Sequence, residues 1–257
     1  MKVTFPRVVH AEWTKLLSLR STWAVLGLVG VITVGLAAAI GWSAHRAGGS
    51  AQTVADAVSR AFLGIDAFSL ILGVFGILLM TGEYGSGLIR ATLAAVPRRL
   101  PVLWAKALVL VAAAAPVMLV VCAASFLIGQ AFLDADQRVG FGDPGVVRAT
   151  AGAAAAPITL ALVGLGMGAM IRHTAAAITV YVFTMLVLPG VLPAALSTSL
   201  RDSIVPYVPV AASQAMYAVG GNNPFKMLSP GGGTLVMLAW VALVLAGGAF
   251  VLRRRDA

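Results

Sequence analysis

Charge is scarce in this chain. Only 11% of its 257 residues are charged and nine are acidic, against roughly a quarter charged in an ordinary soluble domain. With 60% hydrophobic residues and a mean hydropathy of +0.97, that scarcity excludes a soluble globular protein and indicates an integral membrane protein. The single cysteine, Cys122, lies inside an apolar run, which excludes a disulfide framework and a cysteine metal site. His10, His45 and His173 are dispersed and no H-E-x-x-H spacing occurs, so no metal site is expected. A phosphate-cradling G-x-x-x-x-G-K-[ST] loop is also missing, so any nucleotide hydrolysis must come from a partner. The absence of a G-x-S-x-G elbow and of paired intramembrane carboxylates weakens an intramembrane enzyme. The formal charge of +9 does not point to nucleic acid, because the basic residues sit at the ends of apolar runs and are not interleaved with aromatics.

What is present is a series of apolar runs long enough to cross a hydrocarbon core of about 30 Å, which takes about 20 helical residues. Six spans are expected, at 22–43, 62–81, 107–128, 149–171, 175–196 and 234–252, in one transmembrane domain covering 1–257. The connections then alternate sides. Twelve basic residues (Lys2, Arg7, Lys15, Arg20, Arg90, Arg98, Arg99, Lys106, Arg172 and Arg253 to Arg255) share one side with only Glu12, Glu83 and Asp256, while six basic and six acidic residues balance on the other. The positive-inside rule makes the basic side cytosolic, with both termini there. Arg outnumbers Lys by 14 to 4 and alanine is abundant, which hints at a GC-rich bacterial genome.

Two stretches on the basic side carry local structure of their own. Ahead of the first span, Phe5, Val9, Trp13, Leu16 and Leu17 line one helical face, with Arg7, Lys15 and Ser18 opposite; this predicts an amphipathic helix in the membrane interface. A signal peptide is rejected, because the charged lead is long, contains Glu12 and is followed by a run of spanning length. Between the second and third spans, EYGSGLIRATLAAVPRRLPVLWAK covers Glu83 to Lys106. Gly82, Gly85 and Gly87 suit a sharp exit from a helix, Ile89, Leu93 and Val96 fall on one face of a short helix, and Pro97 ends it. From these residues alone the segment is a solvated loop with basic anchors or a short structured helix.

Within the spans, only 16 residues separate Asp66 from Glu83, so at least one of these acids sits at or inside the hydrocarbon edge. Asp66 is a candidate intramembrane polar residue, read either as functional or, as expected here, as paired with a nearby Arg at the outer boundary. Gly164, Gly166 and Gly168 offer a small-residue seam for close helix approach. Pro116, Pro157, Pro189 and Pro193 permit kinks. Residues 197–233 are too long for a turn, and a helix from Pro209 to about Val219 is predicted as a re-entrant or interfacial piece on the outer side.

The entry segment HAEWTKLLSLRSTW at His10 to Trp23, the segment GEYGSGLIRATLAAVPRRLPVLWAKAL at Gly82 to Leu108, the proline-bearing segment before the last span and the terminal RRRDA together resemble the membrane permease subunits of type-2 ATP-binding-cassette exporters. The resemblance covers nearly the full length. It implies an all-α membrane fold of six helices, with an N-terminal interfacial helix and a cytosolic coupling helix between spans two and three. Glu83, Tyr84, Gly85, Gly87, Arg90, Pro97, Arg98 and Lys106 match the coupling segment, and Glu12, Trp13, Lys15, Leu16 and Arg20 the entry helix. The implied partners are a cassette ATPase subunit, a second or similar permease copy, and membrane lipid. No cofactor is expected on this chain; ATP and Mg²⁺ are expected on the ATPase. In that picture Ile89, Leu93 and Val96 form an apolar ridge for a groove on the ATPase, and Arg90, Arg98 and Arg99 meet its acidic rim. The expected function is export of an unidentified substrate without enzymatic activity in this chain. The alternative is a membrane sensory or assembly subunit that conducts nothing; an ion-coupled carrier is disfavoured by the few intramembrane charges and the lack of an internal repeat.

Overall fold

Backbone N–H and C=O groups inside a bilayer have no water to bond, so apolar runs of this length satisfy themselves as helices. The computed structural model describes residues 4–18, 20–46, 53–96, 99–135, 137–220 and 228–254, and every regular element among them is helical. In chain order they are α1 (Phe5–Ser18), α2 (Arg20–Arg46), α3 (Val54–Phe62), α4 (Ile65–Gly85), α5 (Leu88–Ala95), α6 (Leu100–Ala131), α7 (Val146–Ile171), α8 (Thr174–Val182), a π-helical turn (Phe183–Val187), α9 (Leu188–Ala195), α10 (Thr198–Ile204), a 3₁₀ turn (Val205–Tyr207), α11 (Pro209–Ala215) and α12 (Pro230–Arg254). Among the described residues, six helices are long and apolar enough to cross a membrane: α2, α4, α6, α7, the composite Thr174–Ala195, and α12. The chain is thus an all-α, multi-pass membrane protein.

The second span differs from its expected limits. Phe62 closes the separate helix α3, Leu63 and Gly64 turn the chain, and α4 then runs from Ile65 past Glu83 to Gly85. Helix α3 was not foreseen from the hydropathy, although its signal is local: Thr53 accepts from the Asp56 backbone N–H while the Asp56 carboxylate accepts from the Thr53 N–H, a reciprocal capping box. Helix α6 has 32 residues, so at 1.5 Å per residue it is about 48 Å long and overshoots a hydrocarbon core of about 30 Å. That excess extends its first turns beyond the expected start at Ala107.

Packing centres on α4 against α7, the most extensive contact in the molecule, with α12 next on α7. The expected glycine seam is there and is divided between two neighbours. A Cβ on Gly164 would run into the Gly73 carbonyl, and one on Gly168 would lie 3.0 Å from the Ile77 carbonyl, both on α4. Gly166 instead faces α12, where a Cβ would come within 2.8 Å of the Val244 backbone. Without apolar solvent exclusion between helices in lipid, such close approach supplies the van der Waals contact that holds them.

The fifth span is interrupted by a π-helical turn ahead of its prolines. Pro189 has no N–H for the carbonyl one turn earlier, and the π-helical turn spans that place. Its residues Val180, Phe183, Leu186 and Val191 are exposed, as are Trp23, Leu28 and Val31 of α2, so both helices turn apolar surface outward. Pro116 and Pro157 lie inside α6 and α7, which continue through them.

Among the described residues, the segment between the fifth and sixth spans folds as three short pieces. Helix α11 starts at Pro209 as expected but stops at Ala215, short of Val219. Trp240 Nε1 donates to the Tyr207 carbonyl at 2.9 Å. Trp240 lies ten residues into α12, about 15 Å along its axis, so the chain dips beside α12 at Tyr207 before α11 packs on α12 and α7. Arg148 Nη2 donates to the Ala218 carbonyl at 2.7 Å and fixes the end of this excursion to the start of α7.

Candidate functional site

At the opposite end of the bundle, helix α1 buries Val8, Glu12 and Leu16, one residue per helical turn. Glu12 is 5% exposed, a position that an ionised carboxylate keeps only when paired. Its partners come from two helices. Lys15, one turn on in α1, donates from Nζ to Glu12 Oε1 at 2.8 Å and to Glu83 Oε1 of α4 at 2.9 Å. Lys106, in the second turn of α6, donates to Glu12 Oε2 and to Glu83 Oε1, both at 2.7 Å. Each ammonium therefore touches both carboxylates, and the four side chains close a ring of alternating sign with no net charge. Glu83 and Lys106 are buried with Glu12, while Lys15 stays about one-third exposed. Burial alone would lower the Lys15 pKa, but the hydrogen bonds and charges of Glu12 and Glu83 outweigh it and hold the ammonium above the ordinary lysine value.

The ring also fastens the short helix α5. Gly87 enters it with φ of 72°, a left-handed conformation that favours glycine. Two residues on, Ile89 is 3% exposed and packs in the chain's own core. Thr92 Oγ1 receives a third hydrogen bond from Lys15 Nζ at 3.2 Å. Helix α5 is thus tied to α1 by a side-chain bond and to the core by an apolar anchor.

This geometry corrects one expectation. Ile89 points inward, so it is no part of an outward ridge; the exposed surface of α5 is Leu88, Arg90, Ala91, Ala94 and Ala95. On α1, the ion pairs draw the Glu12 and Lys15 side of the helix into the bundle, and Phe5 and Leu17 of its apolar face are exposed. Trp13 and Leu16 do pack on the core. Arg20 begins α2, and Leu93 and Val96 lie at the end of α5, Val96 partly buried. The side chains of Arg20 and Leu93, together with Pro97 and Arg98, lie outside the described residues. Glu83, matched to the coupling segment, lies in the buried ring. Thr92 was not singled out at all, since a lone threonine on a short helix carries no signal of its partner.

Next to the ring, Tyr84 is half-buried under the Arg172 guanidinium, 5.3 Å from the ring centroid. Arg172 Nη2 donates to the Val251 carbonyl at 3.0 Å, and Arg99 Nη1 to the Leu252 carbonyl at 3.3 Å. Two cations therefore meet the negative end of α12. They join the α7–α8 turn and the start of α6 to the last helix on the same face. Gly85 ends α4 and is exposed.

Asp66 is elsewhere, in the first turn of α4 at the far face. Gln214 Nε2 donates to its Oδ2 at 2.8 Å and Tyr217 Oη to its Oδ1 at 3.0 Å. The expected Arg partner is not found among the described residues; two neutral donors from the excursion before α12 take its place, because that excursion packs directly over the start of α4. Burial, and after it the Asp66 charge, push the Tyr217 phenol well above its ordinary pKa, so it stays a donor. Among the described residues no group of three or more metal-ligating side chains occurs.

Neither a family model nor a curated protein matches the sequence. The site is therefore read from its own geometry.

Proposed function

We propose that this chain is the membrane-spanning subunit of an exporter, powered by a separate cassette ATPase that docks on the face carrying α1 and α5. The observation that carries this reading is the four-charge ring. It gathers α1, α4 and α6 at one point and holds α5 to them, so a force applied to α5 is delivered to two spans and the entry helix together. A loop merely resting on a membrane surface needs no such fastening.

Charge supports the orientation. Arg7, Arg90, Arg99, Arg172, Arg253 and Arg254 lie on this face, and the positive-inside rule places such a face in the cytosol, where ATP is. Both ends of the chain belong to that side. The host membrane is a bacterial inner membrane, in keeping with the composition. The substrate pathway is formed with a second copy or a similar permease, and the exposed apolar surfaces of α2 and the fifth span are available to lipid and to that neighbour. The chain performs no catalysis itself; ATP and Mg²⁺ bind the ATPase.

The test is purification of the native complex in a mild detergent, with mass spectrometry of its subunits and assay of ATP hydrolysis and vesicle uptake. A co-purifying cassette ATPase and ATP-dependent movement of a solute support the reading. An ATPase without transport identifies a non-conducting assembly subunit, and no ATPase at all overturns both.

A further inference from the structure

At the end of the bundle away from the charged ring, Asp66 borders a cavity of about 210 Å³ framed by α3, the first turn of α4 and the chain from Gln214 to Gly220. Pockets for drug-sized molecules run to roughly 300–1,000 Å³, so this one suits a smaller group. Ser59, Asp66, Gln214 and Tyr217 bring polar atoms to it, and Leu63 and Val219 supply apolar wall. The Tyr217 ring is braced edge-on by Phe62, with centroids 6.2 Å apart.

Asp66 decides what the cavity can take. Its carboxylate is only partly buried, and each oxygen accepts one hydrogen bond, from Gln214 Nε2 or Tyr217 Oη. A carboxylate offers about four acceptor positions, so about half of that capacity is left. Both donors are neutral: they satisfy lone pairs without balancing the charge. Two described arginines come near this region and serve other groups. Arg148 donates to the Met216 and Ala218 carbonyls, and Arg60 of α3 borders a separate cleft beside Gly129 and Gln130. An anion would meet a like charge here. A calcium ion takes six or more oxygen ligands, and among the described residues no group of three metal-ligating side chains exists to start such a shell. A primary ammonium fits better, with one positive charge, three N–H donors and an aromatic ring at its side.

We propose that this cavity binds a small organic molecule through a primary ammonium group, its N–H donors bonding Asp66 and its carbon body lying against Tyr217, Leu63 and Val219. The site involves no ATPase and does not depend on the export reading.

The experiment uses the full chain in phosphatidylcholine nanodiscs at neutral pH, with 4-fluorobenzylamine as the probe and its ¹⁹F line broadening as the readout. Saturable broadening is expected, with benzylamine competing at concentrations at least tenfold lower than benzyl alcohol or benzoate. Asp66→Asn should weaken binding at least tenfold. Ser59→Trp, at an exposed position on the rim, blocks the cavity and leaves Asp66 in place; it should do the same and serves if Asp66→Asn does not fold. Nanodiscs containing phosphatidylethanolamine separate two sources of the ammonium: competition by that lipid makes its head group the occupant, and undiminished probe binding makes it a free amine, the ammonium site standing in either case. Broadening that is unsaturable, or unchanged in the folded variants, overturns the site, as does equal competition by benzyl alcohol. Lys226 lies outside the described residues, and binding that emerges only in Lys226→Gln would assign the Asp66 charge to a partner within the chain and overturn the proposal.

Discussion

Lys106→Met removes one of the two cations from the buried ring while keeping most of the aliphatic stem. In the wild type, Lys106 makes two 2.7 Å ion pairs with carboxylates that are 5% and 9% exposed. After the substitution, Glu12 and Glu83 share Lys15 alone, and one negative charge remains without a counterion. Breaking a buried pair in this way costs about 3–5 kcal/mol, much of it the penalty of the charge left behind. Glu83→Met should cost a similar amount, with the opposite sign of charge exposed. The double variant, Glu83→Met with Lys106→Met, restores neutrality: Glu12 and Lys15 still pair, and two apolar side chains fill the vacated volume. Its deficit should be below about 2 kcal/mol, because a buried pair and an apolar replacement of similar size are close in stability. Unfolding in mixed micelles, followed for all four members of the cycle, gives the coupling energy directly. A loss below about 1 kcal/mol for Lys106→Met, or a double variant as unstable as the sum of the two singles, would refute the ring as an electrostatic unit.

Three further outcomes follow from the same packing. Gly164→Val should force α7 away from the Gly73 carbonyl and destabilise the bundle by about 1–3 kcal/mol or more, as overpacking does, read as a lower midpoint of thermal unfolding in nanodiscs. Asp66→Asn turns one acceptor into a donor facing Gln214 or Tyr217 and should cost about 1–3 kcal/mol; Tyr217→Phe added to it should cost little more, so an additive pair in the same assay would contradict a shared hydrogen-bond unit. The Lys15 contribution is complete below the ordinary lysine range and is lost as pH rises through its raised folded value. Protease cleavage at the α1–α2 junction should therefore increase only at strongly alkaline pH, and Lys15→Met should show raised cleavage already at neutral pH.

Hydropathy alone made the six spans readable, because the requirement to satisfy the backbone inside lipid leaves little freedom. The glycine seam of α7 was also visible, though not that Gly166 serves a different neighbour from Gly164 and Gly168. The charged ring was not. Glu12, Lys15, Glu83 and Lys106 were each recognised as lying on one side of the membrane, but 68 residues separate Lys15 from Glu83 and 94 separate Glu12 from Lys106. Nothing local distinguishes a solvated charge at a span end from one that closes a tertiary contact. The inward turn of Ile89 escaped for the same reason: helical spacing defines a face of α5 but does not say whether the bundle or the surroundings receive it. Asp66 lies in the first turn of α4, and its neutral partners were hidden because Gln214 and Tyr217 lie in a segment whose path depends on packing against α12.

The central claim, an ATPase seated on α5, is tested most directly by contact. Cys122 is the only native cysteine and is buried, so a single exposed thiol at Ala91→Cys or Ala94→Cys reports on that surface alone. In native membranes a short bifunctional thiol–amine reagent should cross-link either position to a cassette ATPase subunit, and Ser59→Cys on the opposite face should yield none. Folded, membrane-inserted Ala91→Cys and Ala94→Cys proteins that form no such product, or that cross-link no more than Ser59→Cys, would contradict the account.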